Sequence, residues 1–373
     1  MIYLDDTANT PVDPAVLAAF CAAETRYFGN PNADHPAGQA ARAALARTTE
    51  AIARLLGVQP GEIIYTSGAT EANDLAVKGL AQAAAPVGRH ILTTALSHAS
   101  VRGALDALRQ AGDTVERVPV GADGKIDLTA LRRMLRADTV LLSVCAVDSE
   151  LGAVQPIEPL ADLLSAYPNC RLHVDATQAV GKLPLTLAGV DAMSFAPHKF
   201  NGLNGVGILY KRSRVPLTPQ IGGGAGATPY RSGTPALALA VSAEKALELA
   251  LTHQAARVRA VRERNALLRA ALLRYPAVRI NSPADAVPHI LNLSVRGVKG
   301  TTFQRALADR GVCVSVRSAC SSDGAPSEAV LAVTGDRRNA LSSWRISLSH
   351  LTPLPALTEF LQIFDACCKE LIP

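Results

Sequence analysis

The residues of this chain best placed to do chemistry are an aspartate and a lysine, Asp175 and Lys199, 24 positions apart (175 to 199). Asp175 closes His173-Val174-Asp175, and Lys199 closes Ser194-Phe195-Ala196-Pro197-His198-Lys199. A lysine amine condenses with an aldehyde to a Schiff base, and a carboxylate held against a ring nitrogen keeps that nitrogen protonated. Pyridoxal phosphate needs both before it can act as an electron sink. A turn aspartate and a surface-loop lysine would show the same spacing, so context decides. Residues 171–174 read as an apolar strand ending at Asp175, and residues 191–195 as another delivering His198 and Lys199. Both candidates then stand at carboxyl ends of strands, where α/β sheets bind ligands.

A third element must hold the phosphate. Residues 62–66 read as a strand, after which Ser67-Gly68-Ala69-Thr70-Glu71 opens a helix running to about Ala84. A glycine turn there exposes backbone N–H groups, the helix dipole favours an anion, and the Ser67 and Thr70 hydroxyls add donors. An ordinary N-cap, with Ser67 or Thr70 capping and Glu71 in the first turn, is the competing reading.

The elements that position these residues alternate between helix and strand from about residue 15 to 211. Helices near 36–56, 70–84, 101–110, 128–135 and 157–165 separate apolar strands such as 139–144, a pattern that predicts an α/β domain with a mostly parallel sheet. A long Ala-, Leu- and Arg-rich helix is expected over 236–274. It leads into strand-like 290–295, helical 302–310, strand-like 313–316 and 344–349, and a final helix near 355–371. The expected division is a large domain over 14–250 and a smaller α+β domain over 251–373, with segment 1–13 packing near the latter. Trp344 is expected in its core.

Further landmarks run from Tyr3 to about Thr352: Tyr3-Leu4-Asp5 with Thr10-Pro11-Val12-Asp13-Pro14, Phe28-Gly29-Asn30-Pro31, and Thr66-Ser67-Gly68-Ala69-Thr70-Glu71. They continue with His98, His173-Val174-Asp175 with Gln178-Ala179-Val180-Gly181-Lys182, and His198-Lys199. Arg231-Ser232-Gly233-Thr234, Ser318-Ala319-Cys320-Ser321-Ser322 and Arg345 complete the set. In these the chain resembles the cysteine desulfurases, in the class V group of pyridoxal-phosphate enzymes. That family has the aminotransferase-like fold, fold type I, with a seven-stranded-type sheet in its large domain.

The resemblance implies that Lys199 is the Schiff-base lysine and Asp175 the partner of the pyridinium nitrogen. His98 would stack on the cofactor ring and Gln178 donate to its phenolic oxygen. Ala69, Thr70 and His198 would hold the cofactor, the latter two at its phosphate, and Thr234 would reach the phosphate of a neighbouring subunit in a homodimer. Arg345 would bind the substrate carboxylate, with Ser149 beside it. Cys320 would be the nucleophile that takes sulfur from L-cysteine, releasing alanine and keeping a persulfide for an acceptor protein. The turn-rich residues 321–327 would carry that cargo outward.

Departures from the family gather at the expected site. Asp6-Thr7-Ala8-Asn9 replaces Asn-Ala-Ala-Thr, and Asp148-Ser149-Glu150-Leu151-Gly152 replaces Asn-Asn-Glu-Ile-Gly. Ala196 stands for a phosphate-binding serine, Asn201-Gly202-Leu203-Asn204-Gly205 for Tyr-Gly-Pro-Lys-Gly, and Ala225-Gly226-Ala227-Thr228 for Gln-Glu-Arg-Gly. Lost hydrogen-bond donors predict a weaker hold on the cofactor or a shifted substrate. The alternatives are an enzyme acting on another amino acid, by β-elimination or replacement, desulfination or decarboxylation, and a non-catalytic partner in sulfur transfer.

Composition bounds the rest. The 373 residues are 49% hydrophobic, ample for burial, and no apolar run is long enough to span a membrane. A net charge of +5 without a basic block predicts no nucleic-acid binding. Arg132, Arg133 and Arg136 read as a solvated helix face, and Arg337-Arg338 as a possible contact for an acidic partner. Cys21, Cys145, Cys170, Cys313, Cys367 and Cys368 read as packing residues. No cysteine spacing fits a metal site, and an odd total of 7 without a signal peptide predicts a cytoplasmic protein.

Overall fold

The structure, a computed structural model, describes residues 1–224, 226–316 and 325–372. Its strands are β1 (Ile2–Tyr3), β2 (Ile63–Thr66), β3 (His90–Thr93), β4 (Thr114–Arg117), β5 (Thr139–Cys145), β6 (Arg171–Asp175), β7 (Ala192–Phe195) and β8 (Gly207–Lys211). They continue with β9 (Val278–Ile280), β10 (Ile290–Val295), β11 (Val312–Cys313) and β12 (Ser343–Ser347). Seven of them form one sheet in the order β2-β8-β7-β6-β5-β3-β4. From β7 to β4 all pairs are parallel, as expected, whereas β8 runs antiparallel to both β7 and β2. The short link from β7 to β8, which carries Lys199, has no helix to bring the chain back for a parallel return.

Side chains alternate across this sheet and feed two cores. Ile63, Leu142 and Ile208 enter one, while Ile64, Leu141 and Leu209 enter the other beneath the helices Ala69–Ala84 and Ala99–Gln110. Covered on both faces, the central strand β5 is buried at every position, which its sequence Thr-Val-Leu-Leu-Ser-Val-Cys permits. At the open edge β4 is polar and largely exposed.

A third core lies around the antiparallel sheet β12-β10-β9. Trp344 stacks on Phe303 with ring centroids 5.3 Å apart, and Phe360 and Phe364 close around them. Ile2 and Leu4 also enter it, since β1 pairs in parallel with β11.

Two expected elements differ. The helix over 236–274 is two, Leu237–Thr252 and Gln254–Leu272, broken at His253 with φ −101° and ψ 6°. Neither Gly nor Pro marks that break, and helix propensity continues through it, so tertiary packing decides. The strand over 313–316 shortens to β11, after which Ser315 forms an isolated bridge to Arg345.

Candidate active site

The carboxyl ends of β2, β5, β6 and β7 converge on one cavity of about 370 Å3. Its walls bring together Ala69, Thr70, His98, Ser149, Asp175, Gln178, His198, Lys199 and Arg345. Thr234 is not among them: in the single chain it is exposed. Cys320 and its motif lie outside the described residues, as do Arg317 to Gly324 and Ala225.

Asp175 ends β6 with its carboxylate buried and oriented from two sides. One oxygen accepts from the Thr177 backbone N–H at 3.0 Å, the other from the Asn73 side chain at 2.9 Å. Sequence reasoning missed Asn73, although a signal existed: a polar, poor helix former on the buried face of the helix Ala69–Ala84. Lys199 closes the 3-10 turn Pro197–Lys199 after β7, and its amine donates to the Ala8 and Thr7 carbonyls at 2.6 and 3.0 Å. The loop that bears it is moored to the N-terminal segment. Asn201, at a left-handed φ of 69°, donates its backbone N–H to Thr10 Oγ1 at 2.7 Å and its side-chain amide to the Pro11 carbonyl at 2.9 Å.

At the opposite wall the helix Ala69–Ala84 begins with no side-chain cap, contrary to the N-cap alternative. Its first N–H groups are therefore open to a ligand. A Cβ added to Gly68 would meet nothing, so the turn leaves room for an anion. Glu71 accepts from the Ser67 N–H at 2.7 Å and pairs with Arg231 at 2.9 Å. Burial works to raise its carboxyl, yet the hydrogen bonds from Arg231 and Ser67 outweigh it and hold the group below its ordinary range. His198 completes this end. Burial, with the Lys199 and Lys182 charges, drives its imidazole down to about 4, and its Nδ1 is buried with no partner among the described residues.

His98 caps the helix Ala99–Gln110, its Nδ1 accepting the Ser100 N–H at 3.2 Å. Burial keeps the ring below its ordinary range, so it is neutral at neutral pH with its proton on Nε2. Gln178 donates to the Thr7 carbonyl at 3.1 Å and accepts from Lys182 Nζ at 2.6 Å. Arg345, buried on β12, donates to the Ser149 carbonyl at 2.8 Å and to Asp5 at 2.9 Å, leaving Nε without a partner among the described residues. Asp5, a landmark residue with no role assigned from the sequence, also accepts from Ser315 at 2.7 Å.

Of the departing pair Asp148-Ser149, Ser149 lines the cavity and Asp148 does not. Its carboxylate turns back to the N–H groups of Glu150 and Leu151 and closes its own turn. Cys145, read as a packing residue, lines the cavity as well. Burial, reinforced by Asp148 and Asp175, pushes its thiol well up, which makes it a poor nucleophile. Among the described residues no cluster of His, Cys, Asp and Glu could hold a metal ion, and no helix is long and apolar enough to cross a membrane.

The aminotransferase class-V family profile matches residues 2–354. A NifS/IcsS protein homolog of Lactobacillus delbrueckii subsp. bulgaricus is 37% identical over 374 residues, covering 98% of this chain and 96% of its own. A cysteine desulfurase of Cereibacter sphaeroides is 36% identical over 376 residues, 99% of this chain and 96% of its own. Among solved structures, a NifS-like protein matches with a TM-score of 0.93 at 32% identity, over 99% of this chain and 100% of its own. SspA in complex with cysteine matches with a TM-score of 0.82 at 29% identity, over 93% of this chain and 99% of its own.

Proposed function

The chain belongs to the aminotransferase class-V family, and from that premise we propose that it is a cysteine desulfurase, taking sulfur from L-cysteine and leaving L-alanine and a persulfide on Cys320. It is a pyridoxal-phosphate-dependent enzyme. The observation that carries the reading is the meeting of Asp175, Lys199 and Arg345 at one cavity. The residues present fit the cofactor. An uncapped helix N-terminus and the unpartnered His198 Nδ1 suit its phosphate, while the fixed carboxylate of Asp175 suits its ring nitrogen. Loss of the serine at Ala196 leaves the phosphate to the backbone N–H groups, Thr70 and His198.

When bound, pyridoxal phosphate supplies an electron sink for charge developing at the substrate Cα. Arg345 receives the substrate carboxylate on the donors that Asp5 and the Ser149 carbonyl leave over, a planar fork suited to two parallel bonds. Lys199, held by the Thr7 and Ala8 carbonyls, is the amine that takes the Cα proton. Neutral His98, with its proton on Nε2, can give or receive a proton at the same centre. The Cys320 thiolate attacks the substrate sulfur, an S–S bond forms as the C–S bond breaks, and the carbon skeleton takes up a proton and leaves as alanine.

The same reading makes residues 14–250 the large domain and 251–373 the small one, with 1–13 against it. It also makes the protein a cytoplasmic homodimer in which Thr234 serves the partner's site, and a donor of sulfur to an acceptor protein. The reaction is tested by incubating the purified protein with L-cysteine and assaying alanine, pyruvate and sulfide together. Alanine is expected as the carbon product; pyruvate in its place would identify a β-elimination and overturn the reading.

A further inference from the structure

Behind Lys199 lies a second, smaller cavity of about 30 Å3, reached past Thr7 and Lys199, which also line the main one. Polar side chains, Asp6, Lys182, His289 and Ser349 among them, project into its walls. Thr7 Oγ1 and His289 Nδ1 are buried there without partners among the described residues. A space of this size with such walls suits one ordered water.

Lys182 is the unusual member, a lysine only 8% exposed on the turn that follows β6. Its amine donates to Gln178 Oε1 at 2.6 Å. The Gln178 amide nitrogen donates to the Thr7 carbonyl, which also accepts from Lys199 Nζ at 3.0 Å. While Lys182 is charged its ammonium has only protons to offer, so the Gln178 amide cannot turn round: Oε1 must face Lys182 and the NH2 group the Thr7 carbonyl.

We propose that Lys182 is a positioning residue of the active site, which fixes the Gln178 amide with its donor side toward the cofactor cavity and sets a second cation against Lys199 from behind. Burial, with the charge of Lys199, draws the Lys182 amine down to about 7, Asp6 works to raise it, and Arg345 adds to the lowering. Asp6 itself is pushed up to about 6 by burial. His198 and His289 stand close enough for the Lys182 charge to lower them further, while Arg257 and His350 close the far wall. Lys182 therefore changes charge near neutral pH, with Asp6, which replaces the family's asparagine, favouring its charged form.

The inference rests on the assignment of Lys199 and Gln178 to the cofactor, and its test separates the two. The visible absorption of the holoenzyme, without substrate, is titrated with pH in wild type, Lys182→Met, Lys182→Gln and Lys182→Arg. A cation beside the lysine-bound cofactor disfavours its protonated form, so the Met and Gln variants should move the midpoint up by about one pH unit. The Arg variant should restore it toward wild type. An unchanged midpoint in Lys182→Gln, which keeps a polar side chain in place, overturns the proposal even if the melting temperature falls, because a purely structural role moves only the latter. If the visible band survives Lys199→Ala, the cofactor assignment itself fails.

Discussion

At the scale of single residues, Lys199, Asp175 and Arg345 meet at the cavity through their side chains, while Ser149 serves it through its backbone carbonyl. Lys199 and Asp175 could be picked out because an amine and a carboxylate at strand ends have few other uses. Ser149 illustrates the opposite case: it offers Arg345 its carbonyl, which any residue type supplies, so its identity says little. Asp148 beside it is buried, and desolvation, with the Glu150 charge, pushes its carboxyl up to about 7. An unfolded aspartate titrates near ~4, so the folded chain holds a proton that the unfolded chain has lost between these values. Stability from this group is full below about pH 4 and is lost as pH rises to about 7. Asp148→Asn keeps an acceptor for the Glu150 and Leu151 N–H groups without the charge. Its thermal stability relative to wild type should be level near pH 4 and rise to a gain of roughly 1–4 kcal/mol by pH 8. A gain independent of pH would show that the buried charge is not the cause.

Among the elements, β5 was readable because a strand covered on both faces is largely apolar, and the helix at Ala69–Ala84 because its glycine turn follows a strand. The reversal of β8 was not read, since direction depends on the length of the link after β7 rather than on β8's own sequence. That reversal brings β8 against the phosphate cradle. Gly207, the first residue of β8, touches the turn so closely that an added Cβ would overlap the carbonyl of Gly68 and crowd Thr66 Oγ1. The Gly68 backbone cannot swing aside as a side chain would. Gly207→Ala should therefore displace the start of the helix Ala69–Ala84 and cost about 1–3 kcal/mol of stability. Cofactor affinity, followed by equilibrium dialysis, should fall with it; wild-type affinity would mean that the cradle is not where the phosphate binds.

For the molecule as a whole, long-range pairings were the least legible. The two-residue strand β1 finds its partner at β11, some 310 positions away (2 to 312), and no local pattern specifies that match. The family resemblance carried the assembly expectation instead. Thr234 is exposed and apart from the chain's own cavity, and Phe28 is a large apolar side chain at 84% exposure. Both fit a second copy, so the mass in solution should be twice the 39.0 kDa of the chain. A fully active monomer would refute the dimer. Transfer of sulfur from cysteine to a thiol of this chain defines the proposed reaction. It is tested most directly by mass spectrometry of the peptide bearing Cys320 after brief exposure of the holoenzyme to L-cysteine, with Cys320→Ser in parallel. One additional sulfur atom on the wild-type peptide, and a variant that binds cofactor yet forms no alanine, is the predicted result. An unmodified wild-type peptide together with undiminished alanine production by the variant would contradict it.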